Sequence, residues 1–363
     1  MSWPLVKLHD VCRPRQWKTI SASDLLEEGY PVYGANGKIG FYSEYTHEFA
    51  TLMITCRGAT CGNVHISEPK SYINGNAMAL DVLDSERVDI RFLYYYLLGR
   101  GFDDVISGSA QPQITGQGLA KIEIPLPPLP EQKRIAAILD KADAIRRKRQ
   151  QAIQLADEFL RAVFLDMFGD VIEGAENVVR FSDVAMLDAP MVDPRVDEYI
   201  DLIHIGPDRI EKKIGKLLPA LTAREEGLIS KKFLFDDRYV LYSKIRPYLR
   251  KCAMAEGVGL CSADMYPVRP VEGVATKEFL WMLLLSDFFT AYTESLPARA
   301  NIPKLNREEL EAFTLSLPDY SRQLKFSSIV RATNIASQRV VESAAYVDGA
   351  FESLSQKAFS GQL

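Results

Sequence analysis

A pattern that occurs twice constrains this fold more than any other feature of the sequence. A run of alternating apolar residues, IEIPL (Ile122–Leu126), is followed by prolines and then by a long apolar pattern with helical spacing. An equivalent run, FTLSL (Phe313–Leu317), lies 191 positions later and leads into a similar pattern. Alternation predicts a strand, whereas apolar steps of three and four predict a helix. Each copy therefore predicts a strand that ends at proline and a long helix that begins there.

The start of each helix carries its own signal. Pro130 suits the first helical position, and Glu131 suits the first turn, where the helix dipole favours a carboxylate. In the second copy, Asp319 is a good N-cap residue. Gln132 and Gln323 also match at the same offset.

The two helices predict a coiled coil, because their apolar positions follow a 3.5-residue repeat. Each pattern continues for roughly 35 residues without an internal proline, which corresponds to about 50 Å of helix. Two amphipathic helices on separate domain surfaces are the alternative, but matched lengths and small seam residues favour mutual packing. Because a whole domain separates them, we expect an antiparallel pair. The predicted seam consists of Ile135, Ile138, Ala142, Ile145, Ala152, Ala156 and Phe159 in the first helix, and of Phe326, Ile329, Ala336, Val340, Val347 and Leu354 in the second.

The segments in front of the helices resemble each other and predict two related domains. The matched stretches are Lys7–Cys12 with Arg180–Ala185, Met53–Val64 with Leu241–Ala253, and Gln111–Ile114 with Arg299–Ile302. The second match aligns Arg57 on Arg246. Each segment mixes short β-rich runs with helical patterns, so the expected fold class is α/β (α+β). The predicted boundaries are 1–129 for the first domain, 130–169 for the first helix, 170–318 for the second domain and 319–363 for the second helix with its tail.

Composition indicates a cytoplasmic protein. Hydrophobic residues make up 47% and charged residues 25%, which are ordinary values for a globular chain of 363 residues. No apolar run approaches the ~20 residues that a membrane-spanning helix needs, and the first residues lack a secretory signal pattern. Five cysteines, an odd and scattered set, argue against a disulfide framework. We therefore expect two or three domains, a cytoplasmic location and no membrane association.

Motifs for catalysis and metal binding are missing, which predicts a non-enzymatic chain. GANGKIG (Gly34–Gly40) does not fit the phosphate-loop consensus, because Val32 replaces its first glycine and Ile39 its Ser or Thr. No dinucleotide, amino-methyltransferase or zinc-protease motif occurs. Cys56 and Cys61 with His65 lack a standard zinc spacing and an evident fourth ligand. We expect no catalytic residue, no metal and no cofactor on this chain.

Polar loops in both halves indicate contact with nucleic acid instead. The stretch Arg238–Lys251 interleaves basic residues with tyrosines, so a local stripe is present although the net charge is −5. Lys and Arg neutralise phosphates, Arg also forks onto guanine, and the amides of Gln suit adenine. A solvated basic strand and a plain hairpin turn are the alternatives, and recurrence in both halves favours binding. The candidate DNA-binding residues are Asn36, Lys38, Arg57, Thr60, Asn63, Gln111, Gln113, Lys244, Arg246, Tyr248, Arg250, Lys251, Arg299 and Asn301.

Several of these stretches together resemble the DNA-specificity subunit of type I restriction–modification systems. They are YPVYGANGKIGFY, CRGATCGNV, GSAQPQI, IPLPPLPEQKRIAAIL and QKAFSGQL. The resemblance covers essentially the whole chain, and the proline-rich junction and GANGKIG are its most specific parts. The second junction, LPDYSRQ, departs from the usual Pro-Glu-Gln order.

The resemblance implies a division of labour within a larger complex on double-stranded DNA. Each domain would be a target-recognition domain that reads one half of a bipartite sequence, and the antiparallel helices would fix the spacing. Two methyltransferase subunits, which carry S-adenosylmethionine, would dock on the helices. Motor-nuclease subunits, which use ATP and Mg²⁺, would complete the complex. A non-enzymatic scaffold whose two domains bind other proteins is the alternative function.

Overall fold

The computed structural model describes residues 3–35, 37–108, 111–297 and 302–362, with the backbone alone at 342 and 344–348. The chain divides into two compact units, which we call unit 1 (residues 1–150 and 342–363) and unit 2 (residues 151–341). Both long helices contribute residues to both units.

The described residues of the first part of the chain form short strands, two 3-10 turns and three α-helices. The strands are β1 (Leu5–Lys7), β2 (Arg13–Gln16), β3 (Tyr30–Gly34), β4 (Gly37–Tyr42), β5 (Leu52–Thr55), β6 (Val64–Ile66), β7 (Tyr72–Ile73), β8 (Ala77–Asp81), β9 (Ile106–Ser107), β10 (Gln113–Ile114) and β11 (Glu123–Pro125). The helices are α1 (Ile90–Arg100), α2 (Gly116–Leu119) and the long α3 (Leu129–Ile172).

The second part repeats this alternation and adds helices. The strands are β12 (Val178–Arg180), β13 (Ala185–Met186), β14 (Met191–Val192), β15 (His204–Ile205), β16 (Lys232–Phe235), β17 (Val240–Ser243), β18 (Cys252–Met254), β19 (Gly259–Cys261), β20 (Met265–Pro270) and β21 (Thr314–Ser316). The helices are α4 (Phe181–Val184), α5 (Lys277–Leu285), α6 (Asp287–Ser295), α7 (Arg307–Ala312) and the long α8 (Tyr320–Phe359).

Each unit is built on a four-stranded antiparallel sheet with a second, mixed sheet. The antiparallel order is β2-β8-β5-β6 in unit 1 and β13-β20-β17-β18 in unit 2. In the mixed sheets, β3 runs parallel to β7, and β15 runs parallel to β19. The central strands β5 and β17 are buried along their whole length. The mixed helix and strand content confirms the predicted fold class.

A buried glutamine fixes the junction between strand and long helix in each unit. Gln132 is fully buried; its Oε1 accepts from the backbone N–H of Asp89 at 2.8 Å, and its Nε2 donates to the carbonyls of Arg87 and Pro127. Gln323 is equally buried and makes the same three kinds of bond, to Thr276, Val274 and Pro318. Asp89 and Thr276 are the N-caps of α1 and α5. One side chain therefore ties two helix starts together.

The long helices pack against each other in both units, and in unit 1 the contact is between the start of α3 and the end of α8. Ile135 and Leu139 share a buried cluster with Phe351 and Ala358. Further along α3, the Arg149 guanidinium donates to the carbonyl of Ser343 at 2.6 Å. Rising numbers on α3 meet falling numbers on α8, so the packing is antiparallel.

In unit 2 the end of α3 packs against the start of α8. The ring of Phe326 lies 5.5 Å from that of Phe164 and 5.6 Å from that of Phe168. The Arg322 guanidinium donates to the carbonyl of Met167. These contacts confirm the predicted antiparallel pair.

The predicted seam is wrong at several positions. Ile145, Ala152, Phe159 and Ala336 are exposed, and Phe159 is 50% exposed. The predicted seam residues that are half-buried are Ile138, Ala142, Ala156, Ile329, Val340 and Leu354. Ile135 and Phe326 are fully buried, while the side chain of Val347 lies outside the described residues.

The physical reason is that the long helices pack on the domain as well as on each other. The buried stripe of α3 follows steps of four, through Leu160, Phe164, Phe168 and Ile172. Phe164 and Phe168 both face Phe279 of α5. A face shared by a partner helix and a domain is wider than a heptad seam and is rotated away from it.

Candidate nucleic-acid interface

Three polar loops of unit 1 converge at one place. The hairpin tip between β3 and β4 presents the carbonyl of Ala35, which accepts from Thr55 Oγ1 at 2.6 Å and Thr60 Oγ1 at 3.2 Å. Residues 56–63, which join β5 to β6, form the second loop, and residues 111–114 form the third. The N–H of Gly58 donates to the carbonyl of Pro112 at 3.3 Å, and the N–H of Ile114 donates to that of Cys56 at 3.0 Å.

These bonds bring together candidates that lie far apart in the sequence. Arg57 is exposed and forms an antiparallel bridge with Gln113. Within the described part of the chain, the Arg57 guanidinium and the Gln113 amide make no side-chain hydrogen bond or ion pair. Asn63 is exposed at the end of the same loop, and Gln111 is exposed next to the bridge. The Thr60 hydroxyl is used within the fold, since it donates to the hairpin tip.

Lys38 is not part of this convergence. Lys38 lies on β4, where its Nζ is 3.4 Å from Glu68 Oε1 and 4.6 Å from the ring centroid of Phe41. Glu68 also accepts from the hydroxyl of Tyr33 at 3.2 Å. Lys38 is therefore held by Glu68 and by the ring of Phe41 on its own strand. Asn36 lies outside the described residues.

Unit 2 forms an equivalent pair of bonds. The N–H of Arg246 donates to the carbonyl of Pro303 at 2.8 Å, and the N–H of Leu305 donates to that of Lys244 at 2.9 Å. Arg246 adopts a left-handed backbone (φ 51°), which is uncommon for a residue with a long side chain. Its exposed side chain and the half-exposed ring of Tyr248 lie on the same tight turn.

Two predicted DNA contacts in unit 2 serve the fold instead. The Arg250 guanidinium pairs with Asp287, and its side chain is only 19% exposed. Lys251 Nζ donates to the carbonyl of Pro207 at 2.6 Å. Both side chains therefore make contacts within the fold, and Arg250 is largely buried. Arg299 and Asn301 lie outside the described residues.

Electrostatics distinguish Lys244 from the other candidates. Its Nζ lies 5.4 Å from the ring centroid of Tyr266. Burial lowers the pKa of Lys244, and the nearby charge of Lys304 lowers it further, while Asp264 opposes the shift. Lys244 is thus a half-buried cation beside a second cation.

The repeated backbone bonds correct the predicted alignment of the two halves. They make Gly58 equivalent to Arg246, and Pro112 equivalent to Pro303. The predicted matches of Arg57 with Arg246 and of Gln111–Ile114 with Arg299–Ile302 are therefore shifted.

In the corrected alignment, Lys304 takes the place of Gln113. A signal for this was present in the sequence, since PQITGQGL (residues 112–119) and PKLNREEL (residues 303–310) match at the offset of the helices, 191. Thr115 and Asn306 cap the following helices α2 and α7 with their side chains. Sequence reasoning missed Lys304 because RANI resembles QPQI in its last residue.

Cys56, one of the residues considered for metal binding, is a core thiol. Among the described residues, no cluster of three or more His, Cys, Asp or Glu side chains is placed to hold a metal ion. Cys56 is buried, its Sγ accepts from Gln16 Nε2 at 3.0 Å, and burial raises its pKa. All five cysteines are free thiols.

In the described part of the chain, no helix combines the length and apolarity that a membrane crossing requires.

Comparisons with known proteins agree with one another. A family model described as the type I restriction modification DNA specificity domain matches residues 2–155. The EcoDI specificity subunit of a type I restriction enzyme from Escherichia coli is 26% identical over 96% of this chain and 89% of its own length. The EcoprrI specificity subunit, also from Escherichia coli, is 30% identical over 38% of this chain and 35% of its own.

A solved structure shares the fold. The crystal structure of the S subunit of a type I restriction–modification system from M. genitalium superposes with a TM-score of 0.64. It covers 99% of this chain and 96% of its own, at 14% identity. At that identity the likeness is one of architecture.

Proposed function

The chain belongs to the type I restriction–modification DNA-specificity family, and from this we propose that each unit reads one half of a bipartite DNA target. Its relatives are specificity subunits, which confirms the prediction of a non-catalytic component of such a system. The chain accordingly works with DNA and with other subunits of the complex. Which residues touch DNA, and which subunits dock where, are parts of the proposal.

One observation carries the proposal for DNA reading. Both units use the same pair of backbone bonds, which we call the frame, to hold polar or basic side chains. These are the exposed Arg57 and the half-buried Gln113 in unit 1, and the exposed Arg246 and Lys304 in unit 2. Guanidinium, amide and ammonium groups are the ones that recognise base edges in the major groove. Frames that are alike but carry different side chains suit a target whose halves differ.

The proposed test replaces one arginine at a time in a host that carries the complete system. Arg57→Ala and Arg246→Ala should each weaken recognition of one half-site, by about 1–3 kcal/mol where the side chain contacts a base. The measurement is the set of methylated sequences in the genome, read by long-read sequencing. Equal losses at both half-sites for either variant would contradict the assignment of one unit to one half. A gel shift with the methyltransferase partner distinguishes DNA reading from the protein-scaffold alternative.

We further propose that methyltransferase subunits dock on α3. Within unit 2, the helix exposes an apolar stretch comprising Ala152, Leu155, Phe159, Ala162 and Leu165, of which Leu155 is 60% and Leu165 59% exposed. Exposed apolar side chains gathered on one helix are typical of a protein interface. S-adenosylmethionine would be carried by these partners, and ATP with Mg²⁺ by the motor-nuclease subunits.

The docking proposal is tested by truncating an apolar side chain of this stretch. Phe159→Ala should lower the affinity for the methyltransferase subunit by about tenfold or more, as expected for an aromatic residue central to an interface. The unfolding of the chain should change little, because the ring is half exposed. Isothermal titration of the purified subunits gives the affinity. Phe49→Ala, the same change at a ring 80% exposed in unit 1, is the control and should leave the affinity unaltered.

A further inference from the structure

We infer that Gln113 and Lys304 are equivalent base-reading residues, and that the exchange of an amide for an ammonium at this position makes the two half-sites differ. The inference deepens the proposed function and rests on it. The sequence alignment of the two halves had matched Gln111–Ile114 with Arg299–Ile302, whereas the structure makes Lys304 the equivalent of Gln113.

The backbone around the two residues is the same. In unit 1, the bonds from Ile114 to Cys56 and from Gly58 to Pro112 flank Gln113 on both sides. In unit 2, the bonds from Leu305 to Lys244 and from Arg246 to Pro303 flank Lys304 in the same manner. Gln113 and Lys304 each form the antiparallel bridge that lies between these bonds. Both residues therefore sit at one register position of a common frame.

The neighbouring residues set the direction of the two side chains. Ile114 and Leu305 follow in the chain, and each is only 1% exposed. Because successive side chains of extended backbone point to opposite sides, Gln113 and Lys304 are directed away from the core. The α2 and α7 helices then anchor the frame through Leu119 and Leu310, which are fully buried.

The residue across the bridge differs between the units. Opposite Gln113 lies Arg57, whereas opposite Lys304 lies Ile245. Residues opposed in an antiparallel bridge share one face. Unit 1 thus presents an amide beside a guanidinium, and unit 2 presents a single ammonium beside an aliphatic side chain.

Internal contacts leave both groups available to a ligand. The Gln113 amide makes no side-chain hydrogen bond with the described residues. Lys304 is half exposed, and its Nζ lies 3.7 Å from Asp264 Oδ1, an exposed pair of the kind that contributes little. Lys244 lies close enough to Lys304 for the two charges to repel. An acceptor such as a guanine edge would relieve this repulsion.

The chemistry of base edges converts this difference into specificity. A glutamine amide pairs with adenine through N6 and N7, whereas a lysine ammonium donates to O6 and N7 of guanine. We therefore expect the base read at this position to differ between the half-sites. Exchanging the side chain should exchange the preference in one half and leave the other half as it was.

The experiment uses the complete system in a host whose methylated motif is read by long-read sequencing. Gln113→Lys should change one base of the half-site read by unit 1, with methylation of the original motif reduced by about tenfold or more. Lys304→Gln should do the same to the other half. Gln117→Lys and Lys231→Gln make the same charge changes at exposed positions outside the frame and should keep the original motif. A Gln113→Lys complex that still methylates the original motif would overturn the inference.

A second variant distinguishes altered base reading from a complex that fails to assemble. Gln113→Ala adds no charge, and its purified complex with the methyltransferase is compared on oligonucleotides that carry each single base substitution. Discrimination lost at one position of one half-site supports the inference, whereas wild-type discrimination at every position overturns it. If the unaltered system methylated no bipartite sequence, the proposed function itself would be wrong, so the two failures are distinct.

Discussion

Gln132 and Gln323 illustrate how a single side chain decides a junction. Each amide satisfies a helix N-cap N–H and two carbonyls in a place without access to water. A buried polar group that loses its partner costs the full desolvation of that group. The repeat of these glutamines at one offset was visible in the sequence, but their three bonds were not, because partners such as Arg87 lie on a distant loop.

At this scale we predict that Gln132→Ala and Gln323→Ala destabilise one unit each. The free energy of unfolding should fall by about 1–3 kcal/mol, since a backbone N–H and two carbonyls lose their partner. Urea denaturation of the purified chain gives the measurement. Gln154→Ala, at an exposed position of α3, should stay within about 0.5 kcal/mol of the parent. Equal effects of all three substitutions would refute the role assigned to the buried amides.

At the scale of elements, the sequence predicts that the long helices exist and run antiparallel, but it predicts their contact face only in part. Phe164 and Phe168 carry the packing of α3 in unit 2, yet the heptad pattern selected Phe159. A pattern of apolar residues records only that one side is apolar. Which residues of a wide apolar face turn inward depends on α5, whose position no local periodicity contains.

The corresponding prediction concerns Phe326, which is fully buried beside the rings of Phe164 and Phe168 of α3. Phe326→Ala should lower the free energy of unfolding of unit 2 by about 3–5 kcal/mol, through lost burial and the cavity that remains. Leu324→Ala, at a residue 44% exposed on the same helix, should cost far less. Thermal unfolding followed by circular dichroism compares the two. A larger loss for Leu324→Ala would mean that α8 packs through a different face.

The candidate site was predictable in part for an equally physical reason. Arg57 and Gln113 could be selected from the sequence because polar residues in or beside glycine-containing loops have few roles in a core. Arg250 and Lys251 are also basic residues in a loop, so the sequence does not distinguish them from the other candidates. Only their contacts with Asp287 and Pro207 reveal that they serve the fold. The match of Gln113 with Lys304 depends on backbone bonds between segments, which a comparison of side-chain letters does not weigh.

At the scale of the whole molecule, the chain holds two copies of one plan that carry different loop residues. The strand pair β1–β11 recurs as β12–β21, and each pair precedes a long helix. Conserving the frame while changing the residues on it allows each unit to acquire its own target. As the resemblance to specificity subunits implies, we also propose that the long helices set the distance between the two targets.

A change in the length of both long helices tests whether they set this distance. We predict that inserting one heptad after Gln150 in α3 and another after Val341 in α8 lengthens the spacer of the methylated motif by about three base pairs. Seven residues add ~10.5 Å of helix, and each base pair adds ~3.4 Å of duplex. Both half-sites should stay unchanged in the methylated sequences. A heptad inserted in α3 alone would mismatch the two helices and should abolish methylation. If the double insertion left the spacer unaltered, the helices would not set the distance between the half-sites.

The discontinuous make-up of unit 1 has a consequence for synthesis. Phe92 and Ile135 are covered by Phe351 and Ala358, which the ribosome adds only after the whole of unit 2. At ~5–20 residues per second, that interval lasts on the order of ten seconds or more. Until then the nascent first unit exposes an apolar groove to chaperones. A messenger interrupted within unit 2 would yield a product whose groove never closes.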